Sequence, residues 1–331
     1  MATTAAVKPP LTRIEKRRRT GLLLRSTRRF IVKKPLGALG LVMICIVIVV
    51  GIMPQAFERT DPNAVDPLRI LEAPGSSAWF GTDQLGRDIY SRVVHGARVA
   101  SIVGFGAVAI AAVVGTAIGI VSGYYGGWVD LIVQRFVDAI LAFPPLVLAL
   151  SVVVAVGPSV GNLVFALAFV SAPSFSRIVR ASTLSVRQMT YVEAAVSIGQ
   201  STPLIILRHV LPNVAAPILV VATGAVGSAI LVESGLSFLG LGPPPPDATW
   251  GSMLSLEARF YLTTAWWLAV VPGVVISVTV LAFNLLGDAL REVLAPRLRG
   301  PTQKPPVPPV RTPGGAAHRP LQNERSLRKA D

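Results

Sequence analysis

Few side chains in this 331-residue sequence could carry covalent chemistry, and their spacing assembles none of the common reaction centres. None of the six lysines follows a glycine, so no phosphate-cradling loop ending in Gly-Lys-Ser/Thr exists. His95, His209 and His318 lie far apart, and neither a His-Glu-x-x-His pair nor a Gly-x-Ser-x-Gly nucleophile turn is present. His95 reads as a local hydrogen-bonding residue rather than a ligand. The single cysteine, Cys45, cannot form an internal disulfide, and a structural zinc site needs more ligands. No catalytic group, metal site or cofactor bound by this chain is therefore expected. What remains is a set of isolated charges in unusual places. Glu193 is the only acid between Asp138 and Glu233, in a segment that also carries Arg177, Arg180, Arg187 and Arg208. Glu233 stands inside an apolar run, where an acid costs about 2.5–3.5 kcal/mol on insertion scales, so it needs a partner or water. Either a helix–helix hydrogen bond or a place on a solute path would satisfy it. Arg135 and Asp138, three residues apart, can pair on a helix at a membrane edge. With Asn284, these make the intramembrane polar candidates Glu233, Asp138, Arg135 and Asn284.

Composition says what must position them. The chain is 52% hydrophobic with a mean hydropathy of +0.61, and only 15% of it is charged, against about 25% for a soluble domain. That is the signature of a multi-span membrane protein. The net charge of +14 could suggest a nucleic-acid partner, but its distribution argues against one. Residues 1–35 carry net +10, residues 291–331 net +6, and the 255 between them net −2. Basic tails beside anionic lipid mark the cytoplasmic side.

Apolar runs predict six spans. Residues 36–57 hold the first, read as a retained span because no Ala-x-Ala cleavage site follows it. A polar loop follows over residues 58–98, in which Gly81 and Gly86 bracket a turn and Asp88 caps the helix leading into span two. Span two falls within residues 99–129, which hold no charge. Its Gly115, Gly119 and Gly123 share one helix face and permit close packing. Span three starts near Arg135 and should be kinked or interrupted at Phe143-Pro144-Pro145. Span four covers residues 163–178, span five follows Pro212 to about residue 242, and span six covers residues 266–286 with Trp266 and Trp267 suited to an interface. The Pro- and Arg-rich tail after Pro296 should be disordered. Six spans put both basic tails on one side, with the loop at about 179–213 on that side too.

That loop contains YVEAAVSIGQSTPLIILRHVLPN, residues 191–213. It predicts two short helices joined at a glycine. The first runs over residues 184–198, and Gly199 leaves it at positive φ without a Cβ penalty. Thr202 caps the second, Pro203 opens it, and Pro212 stops it. Glu193 either meets a partner's cation or backbone N–H, or pairs on the surface with Arg187 or Arg208.

Glu193-Ala194-Ala195, Gly199 and Val210-Leu211-Pro212 resemble the EAA loop of ABC importer permeases. The run FGTDQLGRDIYSR followed by Gly96-Ala97-Arg98 looks like the signature of the C-type permease of dipeptide and oligopeptide importers. The run from Arg135 through Asp138 to Ala142-Phe143-Pro144 is similar to that group as well. The resemblance covers roughly residues 36–298. It implies an all-α, type I importer transmembrane fold, with residues 99–290 forming the five-helix permease core. It implies Glu193, Ala194, Ala195, Gly199, Arg208, Leu211 and Pro212 as contacts to an ATPase. The implied partners are a second, B-type permease, two ATPase subunits that hold ATP and Mg, and an extracytoplasmic binding protein. The implied cargo is a di- or oligopeptide, and the implied location is the bacterial inner membrane with both termini cytoplasmic. Nickel chelates, glutathione or another small solute are alternative cargoes. An ion-coupled secondary carrier is the competing class, and it would be expected to hold more ionisable groups in its spans.

Overall fold

The computed structural model describes residues 34–255, 260–261 and 263–294. Most of the two basic tails, and the expectation that the second is disordered, lie outside them. Regular structure among the described residues is helical, apart from one isolated antiparallel bridge between Thr82 and Asp88. Helix α1 (Pro35–Ile52) opens with proline at its first position, where a missing N–H costs nothing. It lies against the last helix through Gly40, where an added Cβ would come within 2.6 Å of the Ala282 carbonyl. An ion pair of Lys34 with Glu292 closes the same end.

The loop that follows is folded on itself. Asp83 accepts hydrogen bonds from the N–H groups of Leu85 and Arg87 at 2.8 and 3.0 Å, and pairs with the Arg87 guanidinium at 2.6 Å. Gly81 and Gly86 stand at φ +79 and +75, as the turn requires. His95 meets Glu58 at 2.5 Å, a hydrogen-bonding role as expected but with a partner 37 residues back rather than a local one. Asp88 caps α2 (Ile89–Tyr125), its Oδ2 accepting from the N–H and hydroxyl of Ser91 at 2.9 and 2.7 Å. The helix thus begins ten residues before the uncharged stretch that defined span two. Its 37 residues make about 55 Å, well beyond a ~30 Å hydrocarbon core, so a cap in the polar loop is compatible with a span.

Helices α3 (Gly127–Leu141) and α4 (Pro145–Val156) are separated by the Phe143-Pro144-Pro145 break and bent by 89°. Helix α5 (Val160–Arg187) then packs along α2. A Cβ at Gly115, Gly119 or Gly123 would meet Phe175 Cβ at 2.5 Å, the Ser176 carbonyl at 2.6 Å, or the Arg180 carbonyl and Thr183 Cβ at 2.9 Å. These contacts advance together along both chains, so α2 and α5 are parallel and the three glycines form the close seam expected of them.

Parallel neighbours decide what the bent pair does. Gly106 lies level with Val164, so α5 starts beside the middle of α2 while α2 ends at Tyr125. The chain must return about 30 Å between them, and only α3 and α4 are there to make the journey. The pair is therefore a broken span. Among the described residues, five helices are long and apolar enough to cross a membrane singly, and the bent pair, taken as one span, makes six.

Helices α6 (Thr190–Ser197) and α7 (Thr202–Ile205) precede α8 (Leu211–Phe238). The short α9 (Trp250–Met253) and then α10 (Trp267–Leu294) follow. Helices α8 and α10 are antiparallel, with Gly227 against Phe283 and Gly287 against Gly224. Trp266 is exposed as a membrane-interface residue would be, but Trp267 is not. It is buried, and its indole N–H donates to the Thr82 carbonyl at 3.1 Å, tying the 58–98 loop to α10.

Candidate functional site

The segment 188–213 differs from its sequence-based reading in three respects. The first short helix is α6 alone. Residues 184–187 belong to α5, whose last turn ends at Gln188. Eight residues fall short of the ~12–15 that an isolated helix needs, so α6 is held by what it buries. Val192 and Ala195, three apart, turn onto an apolar cluster with Ile120 of α2 and Val179 and Val186 of α5. Glu193, Ala194, Val196, Ser197 and Ile198 face outward, Ile198 at 83% exposure.

Gly199 stands at φ +76. The Gln200 N–H reaches back to the Ala195 carbonyl at 3.1 Å and the Gly199 N–H to Val196 at 2.9 Å, a Schellman end that satisfies two free carbonyls. No atom outside its own neighbours lies within 4 Å of a Cβ placed there. Glycine is required by the backbone angle alone.

The second difference is the cap. Ser201 occupies it, with its carbonyl accepting from Leu204 and Ile205, while Thr202 is the first residue of α7 and Pro203 the second. The third is Pro212, which does not stop the helix. Residues 206–210 form a π segment in which the Leu211 N–H bonds to the Ile206 carbonyl, five residues back. That slip places Pro212 in the first turn of α8, where its missing N–H leaves little unsatisfied. The Asn213 amide donates to the His209 carbonyl at 2.6 Å. Residues 202–238 thus run as one helical rod from the exposed loop into the membrane helices. His209 also stacks, tilted, near Tyr191 of α6, with centroids 5.9 Å apart.

Of the residues assigned to this loop, Glu193, Ala194, Gly199, Arg208, Leu211 and Pro212 are exposed and Ala195 is buried. Glu193 forms no ion pair among the described residues, so neither Arg187 nor Arg208 is its partner; Arg187 lies over the Tyr124 ring at 5.9 Å instead.

The polar membrane candidates are not brought together. Asp138 pairs with Arg177 of α5 at 2.6 Å, not with Arg135. A second contact, Asp130 to Arg180 at 2.5 Å, repeats the pattern nearer the loop, supported by the Ser122 hydroxyl. These cross-helix pairs clamp α3 to α5 and leave Arg135 exposed. Asn284 is exposed on α10. Glu233 is 1% exposed, and its carboxylate accepts from the Ser237 and Ser234 hydroxyls of its own helix at 2.7 and 3.3 Å. No group of three or more metal-ligating side chains occurs among the described residues.

Comparison with known proteins bears on this geometry. Residues 115–300 match the family model of the binding-protein-dependent transport system inner membrane component. The chain is 41% identical to the dipeptide transport system permease protein of Alkalihalophilus pseudofirmus, over 81% of this chain and 88% of that one. It is 40% identical to the glutathione transport system permease protein of Pectobacterium atrosepticum, over 82% and 90%. The corresponding glutathione permease of Escherichia coli is 43% identical over 78% and 85%.

Proposed function

The chain belongs to the binding-protein-dependent inner membrane component family, as a permease subunit of an ABC importer, and from that premise we propose that it carries di- or oligopeptides. In this reading it lines half of a path completed by a second permease. Two ATPase subunits hold ATP and Mg, and an extracytoplasmic binding protein delivers the cargo. Both basic termini and the 188–213 loop face the cytoplasm of a bacterial inner membrane, by the charge of the tails.

One observation carries the coupling role. An exposed acid, Glu193, and the exposed Val196 and Ile198 stand on the seated α6 and its C-cap, and the exposed Leu207 stands on the helical rod that continues into α8. A push on α6 is transmitted through the buried Val192 and Ala195, and a push on residues 202–210 moves α8 directly. ATP-driven closure of a partner would thus become movement of the bundle.

Glutathione is a second cargo reading, supported by the names of relatives as similar as the dipeptide permease. It is itself a modified tripeptide, so the two readings share peptide-bond chemistry. Purifying the whole complex, identifying its retained ligand by mass spectrometry and measuring ATP-dependent uptake of a neutral dipeptide against glutathione separates them. Uptake of neither would refute the peptide reading.

A further inference from the structure

Two cavities lie beside the bent α3–α4 pair, and their linings differ. The larger, about 600 Å³ between α2, α3 and α5, is lined only by apolar side chains such as Val114, Phe136 and Phe165 and offers nothing to a polar solute. The smaller, about 240 Å³, lies where the α3–α4 break (Phe143, Pro145) meets α5 and α8. Its lining is uncharged, and its polar side chains are three serines: Ser171 and Ser174 on α5, and Ser228 on α8.

The hydroxyls of these serines are unspent. Other hydroxyls in these helices are either paired or sealed away: Ser151, Ser185, Thr223 and Ser277 bond the carbonyl four residues back at 2.9, 3.2, 2.9 and 2.8 Å, and the Ser101, Ser176 and Thr183 hydroxyls are buried without a partner among the described residues. The Ser171 and Ser174 hydroxyls also make no hydrogen bond among the described residues, but they open onto the cavity. Ser228 reaches the Gly224 carbonyl only at 3.4 Å, long for a hydroxyl bond. In a membrane bundle an unpaired hydroxyl is unfavourable unless water or a solute meets it.

We propose that Ser171, Ser174 and Ser228 form a neutral hydrogen-bonding wall that holds peptide-bond groups of the cargo as it passes the α3–α4 break. This rests on the peptide-importer reading above. Each peptide bond carries a donor and an acceptor, and a hydroxyl can serve either. A wall without fixed charge binds both groups and retains neither chain terminus strongly, which transport requires, since binding must be weak enough to release. At about 240 Å³ the cavity is smaller than the ~300–1,000 Å³ of an enclosing site, so it would hold the cargo from one side rather than surround it. Glu233, sequestered by Ser234 and Ser237, does not line it.

The test uses the whole complex in proteoliposomes, with Cys45, the single and exposed cysteine, replaced by Cys45→Ser. Ser171→Cys, Ser174→Cys and Ser228→Cys are exposed to a water-soluble thiol reagent with and without ATP; Phe165→Cys in the apolar cavity is the control. The proposal expects the three serine positions to react in at least one nucleotide state, with loss of transport, and Phe165→Cys to stay unreactive. Serine positions that are inert in every state, or that react no faster than the control, would overturn it. The triple Ser→Ala variant should lower peptide uptake about tenfold, the scale of one or two hydrogen bonds, with ATPase co-purification unchanged. Wild-type uptake in that variant would also overturn it. Failure of the unmodified complex to import any peptide refutes the cargo reading instead, and the labelling pattern still decides whether the wall faces water.

Discussion

Gly199 offers a perturbation whose effect can be worked through in advance. Its φ is +76, and a Cβ placed on it meets nothing within 4 Å. A substitution there cannot act by a clash with the rest of the protein; it acts through the backbone. Holding a non-glycine residue in the left-handed region costs roughly 1–2 kcal/mol, more for a β-branched one and least for asparagine. The Schellman end relaxes by that amount, and α6 loses its fixed angle to α7. A 1–2 kcal/mol shift changes the ratio of aligned to misaligned loop about 5–30-fold. Gly199→Val should therefore lower ATP-driven uptake by up to that factor, Gly199→Ala by less, and Gly199→Asn least of all. Membrane insertion and thermal stability should stay near wild type, because Val192 and Ala195 remain seated. The assay is substrate-stimulated ATP turnover and peptide accumulation in proteoliposomes. Loss in Gly199→Asn equal to that in Gly199→Val would refute the backbone argument, as would full activity in Gly199→Val.

Three further outcomes are expected. Gly119→Val forces a side chain toward the Ser176 carbonyl across the α2–α5 seam and should destabilise by about 1–3 kcal/mol, seen as a lower melting temperature in detergent. Glu233→Ala strips the Ser234 and Ser237 hydroxyls of their acceptor and should lower stability by about 1–3 kcal/mol, while Glu233→Gln keeps most of it; transport lost at full stability would instead place Glu233 on the path. Asp138→Asn breaks a pair in which both side chains are about half exposed and should change stability by no more than ~1 kcal/mol. The more enclosed Asp130→Asn should cost more, measured on the same melts.

Local chemistry made much of this legible in the sequence. Asp88, Gly81, Gly86 and Gly199 announce their caps and turns because each answers to its immediate neighbours. The Gly115, Gly119 and Gly123 seam is a matter of period, and the proline pair at 144–145 breaks its helix as prolines do. Partners distant in the chain were not legible. Asp138 bonds Arg177, 39 residues on, rather than Arg135. Trp267 is drawn inward by a carbonyl 185 residues away. Pro212 sits inside a continuing helix because a π slip absorbs it, and that slip depends on the seating of residues 205–214 against α2 and α5. The wall of Ser171, Ser174 and Ser228 needs two helices in register, and no local pattern marks it.

The proposed coupling through the 188–213 loop can be probed at a single side chain, Glu193. Its carboxylate is exposed and has no ion-pair partner within the described chain, so its removal should leave the fold unchanged. Breaking a desolvated charge contact across an interface costs about 2–5 kcal/mol. The measurement is ATP turnover and peptide uptake by the reconstituted complex carrying Glu193→Ala, with ATPase pull-down in parallel. The expected result is a loss of at least about 30-fold in substrate-stimulated turnover and uptake, with the chain still in the membrane. Normal transport and normal ATPase retention in that variant would contradict it.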